Sequence, residues 1–108
     1  MPIYDLSIVI NSARALNISY RGRKVNTDIT NLGYTLQDVA KCVSSLTSCH
    51  FVKSHSYEHR IPDDEYRIQF PRTNDDGEIV VDDLYIKFSL IENTLYIDLG
   101  SFHLPKYA

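Results

Sequence analysis

The sequence predicts an α+β fold in which N-terminal helices pack on one face of a mostly antiparallel β-sheet. Two observations predict this class. In the first half of the chain apolar residues recur at three- and four-residue steps, and in the second half they alternate with polar residues between clusters of turn-forming residues. Because 108 residues with 44% hydrophobic content suffice for one core, we expect residues 1–108 to form a single domain.

The first helix is predicted between Asp5 and Leu16, where the apolar residues form one stripe. Asp5 or Ser7 can accept hydrogen bonds from the free amides of its first turn. A short extended piece is expected at residues 17–20. The basic run of residues 21–24 is predicted to be a loop.

Two further helices are expected before the sheet. The second runs from residue 26 or 27 to residue 32, and Gly33 can adopt the left-handed conformation that ends it. The third is placed at residues 36–47, because the hydroxyl of Thr35 can cap the amide of Asp38 and a single apolar stripe follows.

The rest of the chain is predicted to be strand. The expected strands are residues 50–58, 65–70, 79–91 with a possible break near Asp82, and 94–99. The expected turns are Pro62-Asp63-Asp64, Asn74-Asp75-Asp76-Gly77 and Glu92-Asn93. Consecutive hairpins after helices are typical of an antiparallel sheet that is covered on one face only.

Composition narrows the classes of function. The formal net charge is −3, so any binding of nucleic acid has to depend on a local cluster of Lys and Arg. No apolar run reaches the roughly 18 residues of a membrane span, and the start of the chain lacks the basic region of a secretory signal, so a cytoplasmic protein without membrane contact is expected. Cys42 and Cys49 are interpreted as thiols, with no metal site and no cofactor.

Polar side chains are predicted to line the face of the sheet away from the helices. Strand alternation places on it Lys53, His55, Tyr57 and His59 from one strand, Arg67 from the next, and Tyr85 and Lys87 from a third. Metal-free RNA cleavage needs a group that takes the 2′-hydroxyl proton, a donor for the leaving 5′-oxygen and fixed positive charge, and these residue types supply all three.

A plainer interpretation stays open for the same residues, because Lys and Tyr alternate on the wet face of many antiparallel sheets. The acidic run Asp63, Asp64 and Glu65 is interpreted as a turn followed by a solvated strand end. Asp75, Asp76, Asp82 and Asp83 are expected to keep a hairpin edge soluble. His50 and His103 are interpreted as structural or surface residues.

Short motifs in a shared order give a family resemblance. The segments YDL, LNIS, LGYTLQDVAKCVSSL, HFVKS, DDEYR and DDLYIKFSLIENTLYIDL resemble the MqsR toxins, which run LNIT, a helix after LG, FYKS, QDVY, LY(V/L)KF and a last strand ending SFKEK. The resemblance implies a RelE-like fold and a ribosome-independent mRNA endonuclease that a cognate antitoxin holds in check. It also implies that DNA binding belongs to the antitoxin and not to this chain alone.

The resemblance also implies roles for individual residues. The family's catalytic Lys corresponds to Lys53, its catalytic Tyr to Tyr85, and a Tyr-Arg pair to Tyr66 and Arg67. Combined with the strand alternation, this predicts Lys53, His55, Arg67 and Tyr85 as catalytic residues and Tyr57, His59, Tyr66 and Lys87 as substrate-binding residues.

Three positions depart from the family pattern. Asp63 stands where the family has a Gln, which would bring a negative charge toward a phosphate. His55 replaces a Met, and SFHLPKYA replaces the basic tail. The alternative function is therefore a non-catalytic module of the same fold that binds a host or phage protein.

Overall fold

The computed structural model describes residues 1–91, 93 and 95–105. Its elements in chain order are α1 (Leu6–Arg14), β1 (Ile18–Tyr20), α2 (Gly22–Leu32), α3 (Leu36–Ser44), a short 3₁₀ helix (Ser48–His50), β2 (Phe51–His55), β3 (Asp63–Thr73), β4 (Ile79–Ile91) and β5 (Tyr96–His103). The strands form a sheet in the order β1-β5-β4-β3-β2. β1 is parallel to β5 and the other pairs are antiparallel, so the predicted α+β class is confirmed.

The predicted helices are present with altered ends. Asp5 caps α1 by accepting a hydrogen bond from the amide of Ser7. The loop expected at residues 21–24 is wrong, because α2 already begins at Gly22 and buries Val25 in the same stripe as Ile29. The helix is longer than predicted since this stripe outweighs the basic character of its first turn.

α3 begins as predicted and ends early. Thr35 and Asp38 form a reciprocal capping box at its start. The hydroxyls of Ser44 and Ser45 both donate to the carbonyl of Lys41, which competes with continued helical bonding and is consistent with an end at Ser44 instead of residue 47.

The strands differ from the prediction mainly in length. β2 is shorter than predicted and β3 is longer, and β4 continues through Asp82 without a break. β5 extends to His103 instead of ending at Leu99. Its predicted first residue, Thr94, lies outside the described residues.

Of the predicted turns, the one at residues 74–77 is confirmed. The Asn74 side chain accepts hydrogen bonds from the amides of Asp76 and Glu78, and Gly77 has a φ of 81°. The turn predicted at residues 62–64 is wrong, because β3 already begins at Asp63. Glu92 of the third predicted turn lies outside the described residues.

The core lies between the helices and one face of the sheet. From the helices it contains Val9, Ala13, Val25, Ile29, Val39 and Val43, and from the strands Tyr66, Ile68, Leu84, Ile86, Phe88, Ile97, Leu99 and Phe102. Alternation then directs the intervening strand residues to the other side of the sheet, which we call the open face. Among the described residues, no helix is long and apolar enough to cross a membrane.

Candidate functional site on the open face

Side chains on the open face lie in three rows that run across the strands. The strand register places Arg67, Tyr85 and His103 in one row, which we call the tyrosine row. Lys53, Glu65, Lys87 and Ser101 form the lysine row, and His55, Asp63, Ser89 and Asp98 form the aspartate row. Rows are about 7 Å apart along a strand and strands about 5 Å apart, so the three rows form one continuous surface.

The tyrosine row holds a phenol between a cation and an imidazole. The Arg67 guanidinium lies 4.9 Å from the centre of the Tyr85 ring, and the His103 ring contacts the other side edge-on at 5.9 Å. Asp83 binds Arg67 through Nε at 3.0 Å and Nη2 at 2.5 Å, and these bonds lower the pKa of Asp83. Nδ1 of His103 lies 2.7 Å from the carbonyl oxygen of Leu104, so the neutral ring presents Nε2 as an acceptor.

The lysine row places a carboxylate between two amines. Glu65 is opposite Lys53 on one side and Lys87 on the other. Its Oε1 lies 2.7 Å from Nε2 of His55, and neither lysine forms an ion pair within the part of the chain that the structure describes. A hollow of about 300 Å³ beside this row is lined by Glu65, Tyr85, Ile86, Lys87, Ser101 and His103.

The aspartate row is closed to solvent at Asp63, whose side chain is fully buried. Arg21 binds both of its oxygens, at 2.9 and 2.8 Å, and the hydroxyls of Ser89 and Tyr57 donate to it at 2.6 and 2.8 Å. Burial alone would raise the pKa of Asp63, but these hydrogen bonds outweigh burial and lower it to about 2. The prediction that Asp63 brings a negative charge toward a phosphate is therefore wrong, because Arg21 neutralises this carboxylate inside the protein.

Arg21 also contacts β5, through Asp98 and Gly100. Its Nε also donates to Asp98 at 3.0 Å. A Cβ on Gly100 would lie 2.5 Å from the Arg21 guanidinium, so a larger residue there would push Arg21 away from its hydrogen bonds to Asp63 and Asp98. Gly100 is the extra residue at a register shift between β4 and β5, and this bulge makes the room.

The buried Asp63 carboxylate predicts a pH-dependent stability. Its pKa falls from an ordinary 3.8 to about 2 on folding, so its contribution is complete above about pH 4 and is lost as the pH falls through 2. We expect the free energy of unfolding to drop by about 2 kcal/mol from this group between pH 5 and pH 2. Urea titrations across this range check it. In Asp63→Asn the dependence should be flatter by that amount, and an unchanged slope would contradict the assignment.

The other aspartate of the acidic run is also structural. Asp64 is fully buried on the core side, where it accepts hydrogen bonds from the backbone amides of Ile3 and Tyr4 and from the hydroxyl of Ser54. The interpretation of this run as a solvated strand end is therefore wrong for Asp63 and Asp64. Asp64 thus binds the N-terminal segment on the core face of β3, and Asp63 binds Arg21 on the open face.

The predicted site residues are only partly brought together. Arg67 and Tyr85 lie in the tyrosine row, and Lys53 and Lys87 lie in the lysine row. His55 lies in the neighbouring aspartate row. Tyr57 follows β2, and its hydroxyl is bound to Asp63. His59 lies in the loop with 87% of its side chain exposed, 3.9 Å from Glu58.

Tyr66 was predicted to bind substrate, but it lies on the core side of the sheet. Its side chain has no exposed surface, stacks on Phe88 with ring centres 5.5 Å apart, and contacts Phe51 edge-on. Burial raises the pKa of its hydroxyl to about 12. The prediction that Tyr66 binds substrate is therefore wrong, because the side chain at this even-numbered position of β3 faces the core.

Three residues of this surface were missed by the sequence interpretation. His103 was interpreted as a structural or surface residue, and the last strand was predicted to end before it, at Leu99. Glu65 was assigned to a solvated strand end, although its position between Lys53 and Lys87 follows from the same alternation. Arg21 contacts Asp63 across 42 residues of sequence, a separation that local patterns do not reveal.

Comparison with known protein families gives a match that covers nearly the whole chain. The family model described as "Motility quorum-sensing regulator, toxin of MqsA" matches residues 1–103. None of the curated proteins searched matches the chain. The matched region includes every helix and strand described above and all three rows of the open face.

Proposed function

Because this chain belongs to the MqsR family of toxins and so is the toxin of a toxin–antitoxin system, we propose that it is an endoribonuclease that cleaves mRNA without a metal ion. The observation that carries the proposal is the open face itself. There the side chains of Lys53 and Lys87, which have no ion pair among the described residues, lie beside a phenol and an imidazole, those of Tyr85 and His103. A cognate antitoxin would neutralise the activity, and mRNA in the cytoplasm would be the substrate.

In the proposed reaction the 2′-oxygen of a ribose attacks the adjacent phosphorus and the bond from phosphorus to the 5′-oxygen breaks. The products are a 2′,3′-cyclic phosphate and a free 5′-hydroxyl. Nε2 of His103 is suited to accept the 2′-hydroxyl proton, because Nδ1 is engaged with a backbone carbonyl. The Tyr85 hydroxyl is suited to donate to the leaving oxygen, and its ring orientation is fixed by Arg67 and His103.

The two lysines stabilise the phosphorane, which carries more negative charge than the starting phosphodiester. They lie on strands separated only by β3, so their ammonium groups approach one phosphate from two sides. Glu65 lies between them and would neutralise either amine. We propose that His55 is a positioning residue that engages Glu65 at 2.7 Å and keeps both lysines available.

Removing only the Tyr85 hydroxyl tests the proposed proton donor. In Tyr85→Phe we expect kcat for RNA cleavage to fall about 10²- to 10³-fold with little change in KM, because the ring contacts remain while the acid is lost. Tyr96→Phe is the matched control, since Tyr96 is an exposed tyrosine on β5. Equal rates for Tyr85→Phe and wild type would exclude Tyr85 from proton transfer.

The proposed function as a whole is tested in growing cells. Induced expression of the chain should arrest growth and leave truncated mRNAs, and co-expression of its antitoxin should restore both growth and full-length transcripts. Growth arrest with intact mRNA would overturn the ribonuclease proposal in favour of a toxin that binds a protein target.

A further inference from the structure

A second hollow on the open face adjoins the tyrosine row. It has a volume of about 600 Å³ and is lined by Cys49, His50, Phe51, Val52, Arg67, Gln69 and Asp83. Resting on the proposed function, we propose that this hollow binds one nucleobase of the RNA next to the cleaved phosphodiester, and that Gln69 and His50 determine which base is preferred.

The shape of the hollow follows from a mismatch between β2 and β3. Pairing of the two strands begins only at Phe51 and Tyr66, whereas β3 continues to Thr73. Val52 is the extra residue of a bulge at this point, and its side chain is 46% exposed. The short 3₁₀ helix then forms the far wall, which leaves an open-sided hollow in which Val52 supplies the exposed apolar surface.

The polar groups in the hollow offer both donors and acceptors. Nδ1 of His50 accepts a hydrogen bond from the Thr47 amide at 2.9 Å, so the neutral ring carries its proton on Nε2 and presents a donor. The Gln69 amide supplies a donor and an acceptor and has no hydrogen-bond partner among the described residues. This combination is suited to the edge of a nucleobase, which presents donors and acceptors side by side.

The position of the hollow connects it to the proposed reaction centre. Arg67 and Asp83 line it and also belong to the ion pair beside Tyr85, with the Arg67 guanidinium 4.9 Å from the Tyr85 ring centre. Gln69 lies one row beyond Arg67 on the same face of β3, which is about 7 Å. A phosphate held by the lysine row therefore places a neighbouring nucleotide at this hollow.

Other ligands fit the hollow less well. Its lining includes the polar side chains of His50, Arg67, Gln69 and Asp83, unlike a pocket for an apolar peptide side chain. Although Cys49, His50 and Asp83 line it, the described residues contain no group of three or more His, Cys, Asp or Glu side chains arranged to hold a metal ion. A nucleobase matches this combination of polar groups with the exposed apolar side chain of Val52.

The test compares cleavage of short single-stranded RNAs that differ only in the base on either side of the scissile phosphodiester. For Gln69→Ala and His50→Ala we expect the ratio of kcat/KM between the preferred and the other bases to fall about tenfold at one position. Gln69→Glu exchanges amide donors for acceptors and should change which base is preferred. Thr73→Ala, an exposed position on the same strand outside the hollow, should keep the wild-type ratios.

The outcomes separate this inference from the proposed function. If wild type cleaves RNA and all variants keep its base ratios, the nucleobase site is wrong and the ribonuclease stands. If the variants keep these ratios but lose affinity for the antitoxin, the hollow belongs to a protein interface and the inference is also overturned. If wild type leaves every RNA intact, the proposed function fails and this site fails with it.

Discussion

Lys53→Ala is expected to reduce RNA cleavage about 10²- to 10³-fold and to make expression of the chain harmless to growing cells. The Lys53 side chain is exposed on the open face, has no ion pair among the described residues, and lies opposite Glu65 in the lysine row. Its loss removes a fixed positive charge that is needed most when the phosphorane forms. The measurement is kcat/KM for a single-stranded RNA, together with colony formation after induction.

A matched lysine makes this result interpretable. Lys41 is exposed on α3, on the helical side of the molecule, so Lys41→Ala should cleave RNA at the wild-type rate. Lys53→Arg keeps the charge and should retain part of the activity. If Lys53→Ala and wild type are equally toxic, Lys53 has no catalytic role.

Arg21→Met is expected to be the most destabilising change on the open-face side of the sheet, lowering the free energy of unfolding by about 3 to 5 kcal/mol. It removes the guanidinium that binds both oxygens of the fully buried Asp63 carboxylate and leaves Ser89, Tyr57 and the more distant Arg60, whose Nη2 lies 3.8 Å from Asp63. Removing the hydrogen-bonded partner of a buried charge costs far more than the salt bridge gains. Urea denaturation followed by circular dichroism measures the change.

A double-mutant cycle assigns this loss to the pair. Adding Asp63→Asn to Arg21→Met removes the buried charge and keeps the shape of the side chain, so it should restore about 2 kcal/mol. Lys24→Met, on the exposed side of α2, is the control and should change stability by less than about 1 kcal/mol. A single Arg21→Met variant as stable as wild type would show that the Asp63 carboxylate does not depend on its partner.

The sequence predicts most of the fold because local signals dominate it. Cap chemistry at Asp5 and Thr35 and the apolar stripes locate the helices, and strict alternation along β3 and β4 identifies both faces of the sheet. The same alternation predicts that Lys53, Arg67 and Tyr85 share a face. These features depend on residues a few positions apart, which a single sequence contains.

The parts that were missed depend on irregular strands and distant contacts. The bulge at Gly100 shifts the alternation of β5, so Phe102 faces the core and His103 faces Tyr85. The neutralisation of the Asp63 charge depends on its contact with Arg21, and this contact joins the end of β1 to the start of β3. No local pattern predicts either feature, since each arises from the pairing of strands.

The most direct test of the central proposal is analysis of the ends of RNA treated with the purified protein in the presence of EDTA. We expect cleavage to continue under these conditions and to yield 2′,3′-cyclic phosphate and 5′-hydroxyl ends, with Lys53→Ala nearly inactive and Lys41→Ala unaffected. Intact RNA, cleavage abolished by EDTA, or 5′-phosphate ends would each contradict a metal-free ribonuclease on the open face.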